Sequence, residues 1–273
     1  MASKKLQAFF LPADPGQRFV FFLPAEGNFS RGNILYVHPF AEEMNKVRRM
    51  ATLQARAFAA AGYNVMQIDL LGCGDSSGNF GDARWDIWKR DLAAATEWLA
   101  ASSNVPLHLW GCRLGALLVL DHWRDQPDRF ASAILWQPVA SGETFMTQFL
   151  RLAVAGDALR DGASGLTTGA LRNRLKQGES IEVAGYELSP SLVESIDGQN
   201  FSNWSMPGAV VHWLDVRSGD EPPMATQRIL SKWSELGVKV QYRAVPGDPF
   251  WTTQEISEAP ALITETLSCL NPS

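Results

Sequence analysis

The chain has 273 residues, 46% hydrophobic and 19% charged, with 22 Gly, 15 Pro, 10 Trp and 3 Cys. A sequence this long and this apolar buries a large core, which excludes disorder and sets an expectation of one to two domains. Lys and Arg total 24 against 29 Asp and Glu, a net charge of −5 without a long basic run, which argues against a nucleic-acid or anionic-membrane surface.

Cys73, Cys112 and Cys269 are odd in number and lack Cys-x-x-Cys spacing, so neither a disulfide framework nor a zinc site is expected, and no cofactor motif stands out. The first residues carry Lys4 and Lys5, but their apolar stretch stops at Pro12, too short for a signal-peptide core. No apolar run reaches membrane-spanning length, and a soluble, cytoplasmic protein is expected.

Apolar runs at 6–11 and 19–23, joined by Ala13-Asp14-Pro15-Gly16, predict an antiparallel hairpin. Residues 33–37 read as a buried strand. A helix follows over 46–61, with Val47, Met50, Leu53, Ala57 and Ala61 at helical spacing and Gly62 as its stop. The alternation continues with a strand at 64–69, a helix at 85–101, a strand at 107–110, a helix at 114–123 and a strand at 132–136. Such alternation implies a mostly parallel sheet covered by helices on both faces, with ligands at the carboxyl ends of its strands. Over 141–206 it breaks, and a helical cap insertion with a helix around 144–154 is expected. Residues 1–140 and 207–273 then form the core, closing with a strand at 209–216, a helix at 225–236, a strand at 239–245 and a helix at 256–270.

Three strings occur in a telling order. Asp69-Leu70-Leu71-Gly72-Cys73-Gly74-Asp75-Ser76-Ser77-Gly78 is a Gly-rich loop after a strand. Trp110-Gly111-Cys112-Arg113-Leu114-Gly115-Ala116 lies between a strand and a helix, and His38-Pro39-Phe40 follows a strand. Together they resemble the α/β-hydrolase fold, whose nucleophile stands on a sharp strand-to-helix elbow flanked by small residues. Within that superfamily, His38-Pro39-Phe40-Ala41-Glu42-Glu43-Met44-Asn45-Lys46 and the Gly-Cys-Arg-Leu-Gly elbow resemble the second group of exosortase A system-associated hydrolases. The resemblance implies a hydrolase or acyltransferase acting on an ester or thioester linked to exopolysaccharide metabolism. It also implies an oxyanion site made by the backbone N–H groups of Phe40 and Leu114.

The residues at the key positions depart from that pattern. With Gly111 and Gly115 as the flanks, the elbow apex is Arg113, which stays protonated and is no nucleophile. Shifting the register makes Cys112 the nucleophile but puts Trp110 and Leu114 where small residues are needed. The loop after the last strand, Val245-Pro246-Gly247-Asp248-Pro249-Phe250-Trp251, holds no histidine. Of His38, His108, His122 and His212, only His38 ends a strand at the catalytic rim, where it could shape the loop or act as a displaced acid or base. Asp220 is preferred over Asp215 and Glu221 at the acid position. Arg113 needs an anion beside it: Glu42, Glu43 or Asp220 from within, or a ligand carboxylate, phosphate or sulfate. Glu43, Trp136, Phe250 and Trp251 are candidate substrate contacts, while Phe40, Phe145, Met146 and Phe149 either line an apolar pocket or pack the cap onto the core.

Two readings stay open. One is a hydrolase that uses Cys112, or a water activated by His38, Asp220 or Asp248. The other is a binding protein in which Arg113 holds an anionic or acyl ligand without turning it over.

Overall fold

The opening apolar runs pair as β1 (Gln7–Pro12) and β2 (Gln17–Leu23), an antiparallel hairpin in the computed structural model, which describes residues 6–161, 165–253 and 255–270. The hairpin is anchored from below: Arg18 Nε lies 2.7 Å from Asp91 Oδ2, both side chains almost wholly buried. Asp91 also accepts the Leu71 amide.

Strand–helix alternation follows. β3 (Gly32–Val37), α1 (Glu42–Ala60), β4 (Tyr63–Ile68), α2 (Trp85–Ser102), β5 (Leu107–Cys112), α3 (Leu114–Asp125) and β6 (Ser132–Trp136) come in that order. Each strand continues one parallel sheet because the connecting helix carries the chain back across a face. Strands β3 and β6 are buried throughout, which is why they read as unbroken apolar runs rather than alternating ones. Helix α1 begins at Glu42, four residues before the start predicted from apolar spacing. Its first turn holds Glu42 and Glu43, carboxylates that suit a helix N-terminus but break an apolar pattern. It stops where expected: Gly62 adopts φ 92° and its amide returns to the Ala59 carbonyl.

After β6 the chain leaves the sheet. It forms α4 (Gly142–Asp161), α5 (Thr168–Lys176), a small hairpin of β7 (Ile181–Val183) and β8 (Tyr186–Leu188), α6 (Pro190–Asp197) and a helical turn at Phe201–Asn203. Thr167 and Ser189 accept the amides of Ala170 and Leu192 and so cap α5 and α6. Helix α4 is longer than the 144–154 stretch read from the sequence. The chain rejoins the sheet with β9 (Val210–Val216), α7 (Met224–Glu235), β10 (Lys239–Val245) and α8 (Pro260–Leu270). Helix α8 starts at Pro260, later than the predicted 256, because proline's fixed φ and missing N–H suit a first helical position.

The eight strands run β1-β2-β4-β3-β5-β6-β9-β10, antiparallel through β4 and parallel from there on. This is the α/β-hydrolase fold. Its two faces carry separate cores. Tyr36, Trp110 and Trp136 pack under α1 and α8, while Leu35, Leu109 and Leu135 pack under α2 and α3. All parallel strands end at one edge, so the loops after β3, β5, β6, β9 and β10 share that rim. No described helix is long and apolar enough to cross a membrane, and no described group of His, Cys, Asp and Glu could hold a metal ion.

Candidate functional site

The turn from β5 to α3 is the sharpest feature of that rim. Arg113 sits at φ 55°, ψ −120°, a left-handed conformation unusual for a residue with a side chain. Three backbone hydrogen bonds hold it: its amide donates to the Trp136 carbonyl at 2.9 Å, and its carbonyl accepts from Ala116 at 3.1 Å and Val139 at 3.3 Å. A Cβ on Gly111 would stand 2.6 Å from the Ala116 Cα, and one on Gly115 would stand 2.5 Å from the carbonyl oxygens of Val37 and His38. Both flanks must therefore be glycine, and Arg113 is the apex.

The Arg113 side chain meets three neighbours. Its Nε donates to Glu43 Oε1 at 3.2 Å, one Nη donates to the Gln137 carbonyl at 3.4 Å, and the guanidinium lies 5.4 Å from the centre of the Trp251 ring. The side chains of Arg113 and Glu43 are 17% and 10% exposed. Of the candidate internal partners, Glu43 is the one that pairs. It does so through a single oxygen, and its Oε2 is buried without a hydrogen-bond partner. Burial pushes the Glu43 carboxyl up to about 7 despite the attraction of Arg113. At neutral pH the pair is thus poised between charged and neutral forms.

Other predicted residues lie elsewhere. Cys112 is fully buried in the core under α1, one residue before the apex, and burial together with Glu43 drives its thiol far above the ordinary range. A thiol so placed is a small hydrophobe, not a nucleophile. His38 is pinned at both ring nitrogens: Nδ1–H donates to the Pro39 carbonyl at 2.7 Å, and Nε2 accepts the Leu70 amide at 3.4 Å. Burial lowers its pKa, so the neutral ring shapes the loop and has no nitrogen left for acid–base work. Trp136 is wholly buried, donates to Thr266 Oγ1 at 2.9 Å and stacks edge-on with Trp110, which makes it core rather than a substrate contact. Phe250 is likewise 1% exposed and packs on Trp136. Asp220 and Asp248 stand exposed on the loops after β9 and β10, and the ion pair of Arg113 is made with Glu43 rather than with either of them; Asp215 is buried with Oδ1 accepting from Trp213.

The space beside the elbow is filled. The Phe40 ring, 3% exposed, meets Phe80 at 5.1 Å, Phe149 at 5.1 Å and Phe145 at 5.6 Å in edge-to-face contacts. The cavity left between Phe40, Trp85, Trp88, Leu114 and Gly115 is only about 10 Å³, at the lower limit for one water molecule. The Leu114 amide, first in α3, has no acceptor within its own helix.

Gln137 was not apparent from the sequence. It adopts φ 44°, its side chain accepts the Val216 amide at 2.7 Å and its carbonyl takes the Arg113 hydrogen bond. Its position immediately after a buried strand, at the carboxyl edge, was the available signal.

Comparison with known proteins agrees with this fold. Est1E from Butyrivibrio proteoclasticus, with ferulic acid bound, superposes with a TM-score of 0.64 at 16% identity, covering 95% of this chain and 96% of that one. A highly thermostable carboxyl esterase from Bacillus coagulans in complex with glycerol gives 0.67 at 13% identity, covering 99% of each chain. A soluble variant of monoglyceride lipase from Saccharomyces cerevisiae, in complex with a substrate analogue, gives 0.63 at 15% identity, covering 99% of this chain and 97% of that one. At such identities the likeness is one of fold. No curated protein sequence matches the chain. The family model for serine aminopeptidase S33 matches residues 29–168, a span that contains the elbow, the Gly-rich loop and α1, and the chain belongs to that hydrolase family.

Proposed function

We infer that this member of the family binds a small anionic ligand at the elbow without hydrolysing it. The observation that carries the reading is the guanidinium at the apex, held by one hydrogen bond to a carboxylate whose own pKa is near neutrality. An incoming carboxylate or sulfate takes the place of Glu43 on Arg113 and also meets the free amides at the start of α3, a favourable end for negative charge. Trp251 on the guanidinium and the Gln137 carbonyl keep Arg113 aimed while the partner changes. Neither a nucleophile at the apex nor a histidine in the loop after β10 supports acyl transfer, and Phe40 closes the space an acyl group would enter. The resemblance to exosortase A-associated hydrolases points to ligands of exopolysaccharide metabolism.

The second reading, an ester or thioester hydrolase or acyltransferase, is favoured by family membership. Calorimetry with acetate and sulfate, ions that do not titrate between pH 6 and 8, separates the two. If the anion binds only when Glu43 is protonated, affinity rises about tenfold from pH 8 to pH 6, and Arg113→Ala abolishes it. Binding that ignores both pH and Arg113→Ala refutes the reading. So does turnover of acyl esters or thioesters that Cys112→Ala or His38→Ala removes.

A further inference from the structure

A second cavity, of about 330 Å³, lies between α1 and the β2–β4 end of the sheet, a size within the usual range for small-molecule pockets. Its interior is apolar, formed by Tyr36, Met44, Ala51, Ala55, Val65 and Ile68. One rim is a stripe on α1: Arg48, Thr52 and Arg56 follow at four-residue spacing and span about 12 Å of helix. The other rim is apolar, with Leu6 51% and Phe21 37% exposed, and Phe10 extends this surface through Phe19.

The polar groups that reach the cavity are nearly all engaged. His38 uses both ring nitrogens, Gln67 donates to the Ala51 carbonyl, and Asp69 accepts the Asp75 amide and lies 3.7 Å from Arg48. Arg56 is different: among the described residues no carboxylate stands within ion-pairing distance of it. Among the described residues Asp69 is also the only carboxylate in the lining, so an anion is repelled at its end and drawn to the end that Arg56 marks.

We propose that this cavity binds a single-chain anionic amphiphile, a medium-chain carboxylate or alkyl phosphate. The head group sits at Arg56, and the chain lies between Phe21 and the small residues Ala51 and Ala55. Those alanines leave the groove, and the arginine stripe sets the polarity of what fills it. The site is separate from the elbow and does not rest on the reading given for Arg113.

The test is calorimetry with hexanoate, octanoate and decanoate below their micellar concentrations, with decanol and dodecyl phosphate as comparisons. Affinity for the carboxylates is expected to rise roughly fourfold per added methylene. Decanol binds more weakly than decanoate, and dodecyl phosphate binds as a carboxylate of similar length does. Arg56→Glu weakens decanoate about tenfold, and Phe21→Glu lowers affinity and flattens the dependence on chain length. Both positions are exposed at the rim, and circular dichroism confirms that the variants fold. Acetate, which has no chain to fill the groove, reports binding at the elbow alone; Arg113→Ala removes that component and leaves the chain-length-dependent binding of decanoate unchanged, which separates this cavity from the elbow. Absence of saturable, chain-length-dependent decanoate binding overturns the proposal, as does equal affinity for decanol and decanoate or loss of the chain-length dependence in Arg113→Ala. Recruitment to phosphatidylglycerol vesicles without binding of monomeric decanoate also overturns it, in favour of a membrane-facing surface.

Discussion

Replacing Glu43 with glutamine isolates the charge held against Arg113. A carboxyl at about 7 in the folded protein against an ordinary 4.5 means that the folded state holds this proton more tightly than the unfolded chain does. The stabilisation is fully present below about pH 4.5, declines as pH rises and is gone above about 7. Each tenfold change in proton affinity corresponds to about 1.4 kcal/mol, so the span amounts to about 3 kcal/mol. Glutamine keeps a side-chain acceptor for Arg113 but has no proton to lose. The stability of Glu43→Gln minus that of the wild type should therefore rise by about 2 to 3 kcal/mol between pH 5 and pH 8.

Urea unfolding at four pH values measures both proteins. Other groups titrate too: burial raises Asp91 and Asp215 and lowers His38, His108, His122 and His212. Their contributions cancel in the difference unless they touch Glu43. A flat difference, or one that falls with pH, would show that Arg113 outweighs burial and keeps Glu43 ionised, and the poised pair would have to be abandoned.

Arg18→Met leaves Asp91 buried without its cation and should cost about 3–5 kcal/mol, with much of the loss recovered when Asp91 is also made Leu; denaturant midpoints decide. Gly115→Ala drives a methyl into two carbonyl oxygens and should cost about 3 kcal/mol, the upper end for overpacking, unless the elbow shifts; thermal unfolding reads the loss. Phe40→Ala empties an aromatic site and should cost about 3–5 kcal/mol, with benzene raising the melting temperature of the variant but not of the wild type. Arg113→Ser should show no p-nitrophenyl ester hydrolysis beyond the residual rate that binding and backbone amides give without a base; turnover at the rate of an active esterase would reveal an unrecognised base.

Much of the fold was legible because the strands alternate with helices and the elbow glycines are local necessities. Gly111 and Gly115 fix the register from five residues of sequence, and the structure supplies the carbonyls and the Cα that forbid a side chain there. Sequence spacing missed the first turn of α1 because Glu42 and Glu43 are polar at positions where helical periodicity asks for apolar residues. Glu43 is nonetheless buried, since its partner arrives from an elbow 70 positions away, and such a contact leaves no periodic trace. Trp136 and Phe250 misled in the opposite sense. Trp136 ends β6, where a large aromatic points either up into a site or sideways into the core under a helix and one residue of register decides between them; Phe250, in the loop after β10, folds back onto Trp136.

Arg113 and Glu43 are best treated as one unit. The apex lies at the N-terminus of α3, where unpaired amides already give partial positive charge, and a guanidinium added there needs a counter-charge. Glu43 supplies it from the N-terminus of α1, so two helix ends and a cation surround one carboxylate. Even so, burial outweighs their attraction and leaves that carboxylate at about 7. The same carboxylate would oppose acyl-transfer chemistry. An oxyanion forming near the Leu114 amide gains from preorganised donors and loses from a negative charge already held close to them. Serine at the apex alone would thus face a buried glutamate without its cation, which would take up a proton rather than assist an attack. On the proposed reading, the filled space around Phe40 and the Trp251 ring on the guanidinium act in the same direction as the charge pair: the first leaves little room for an acyl group, and the second keeps Arg113 aimed at an anion.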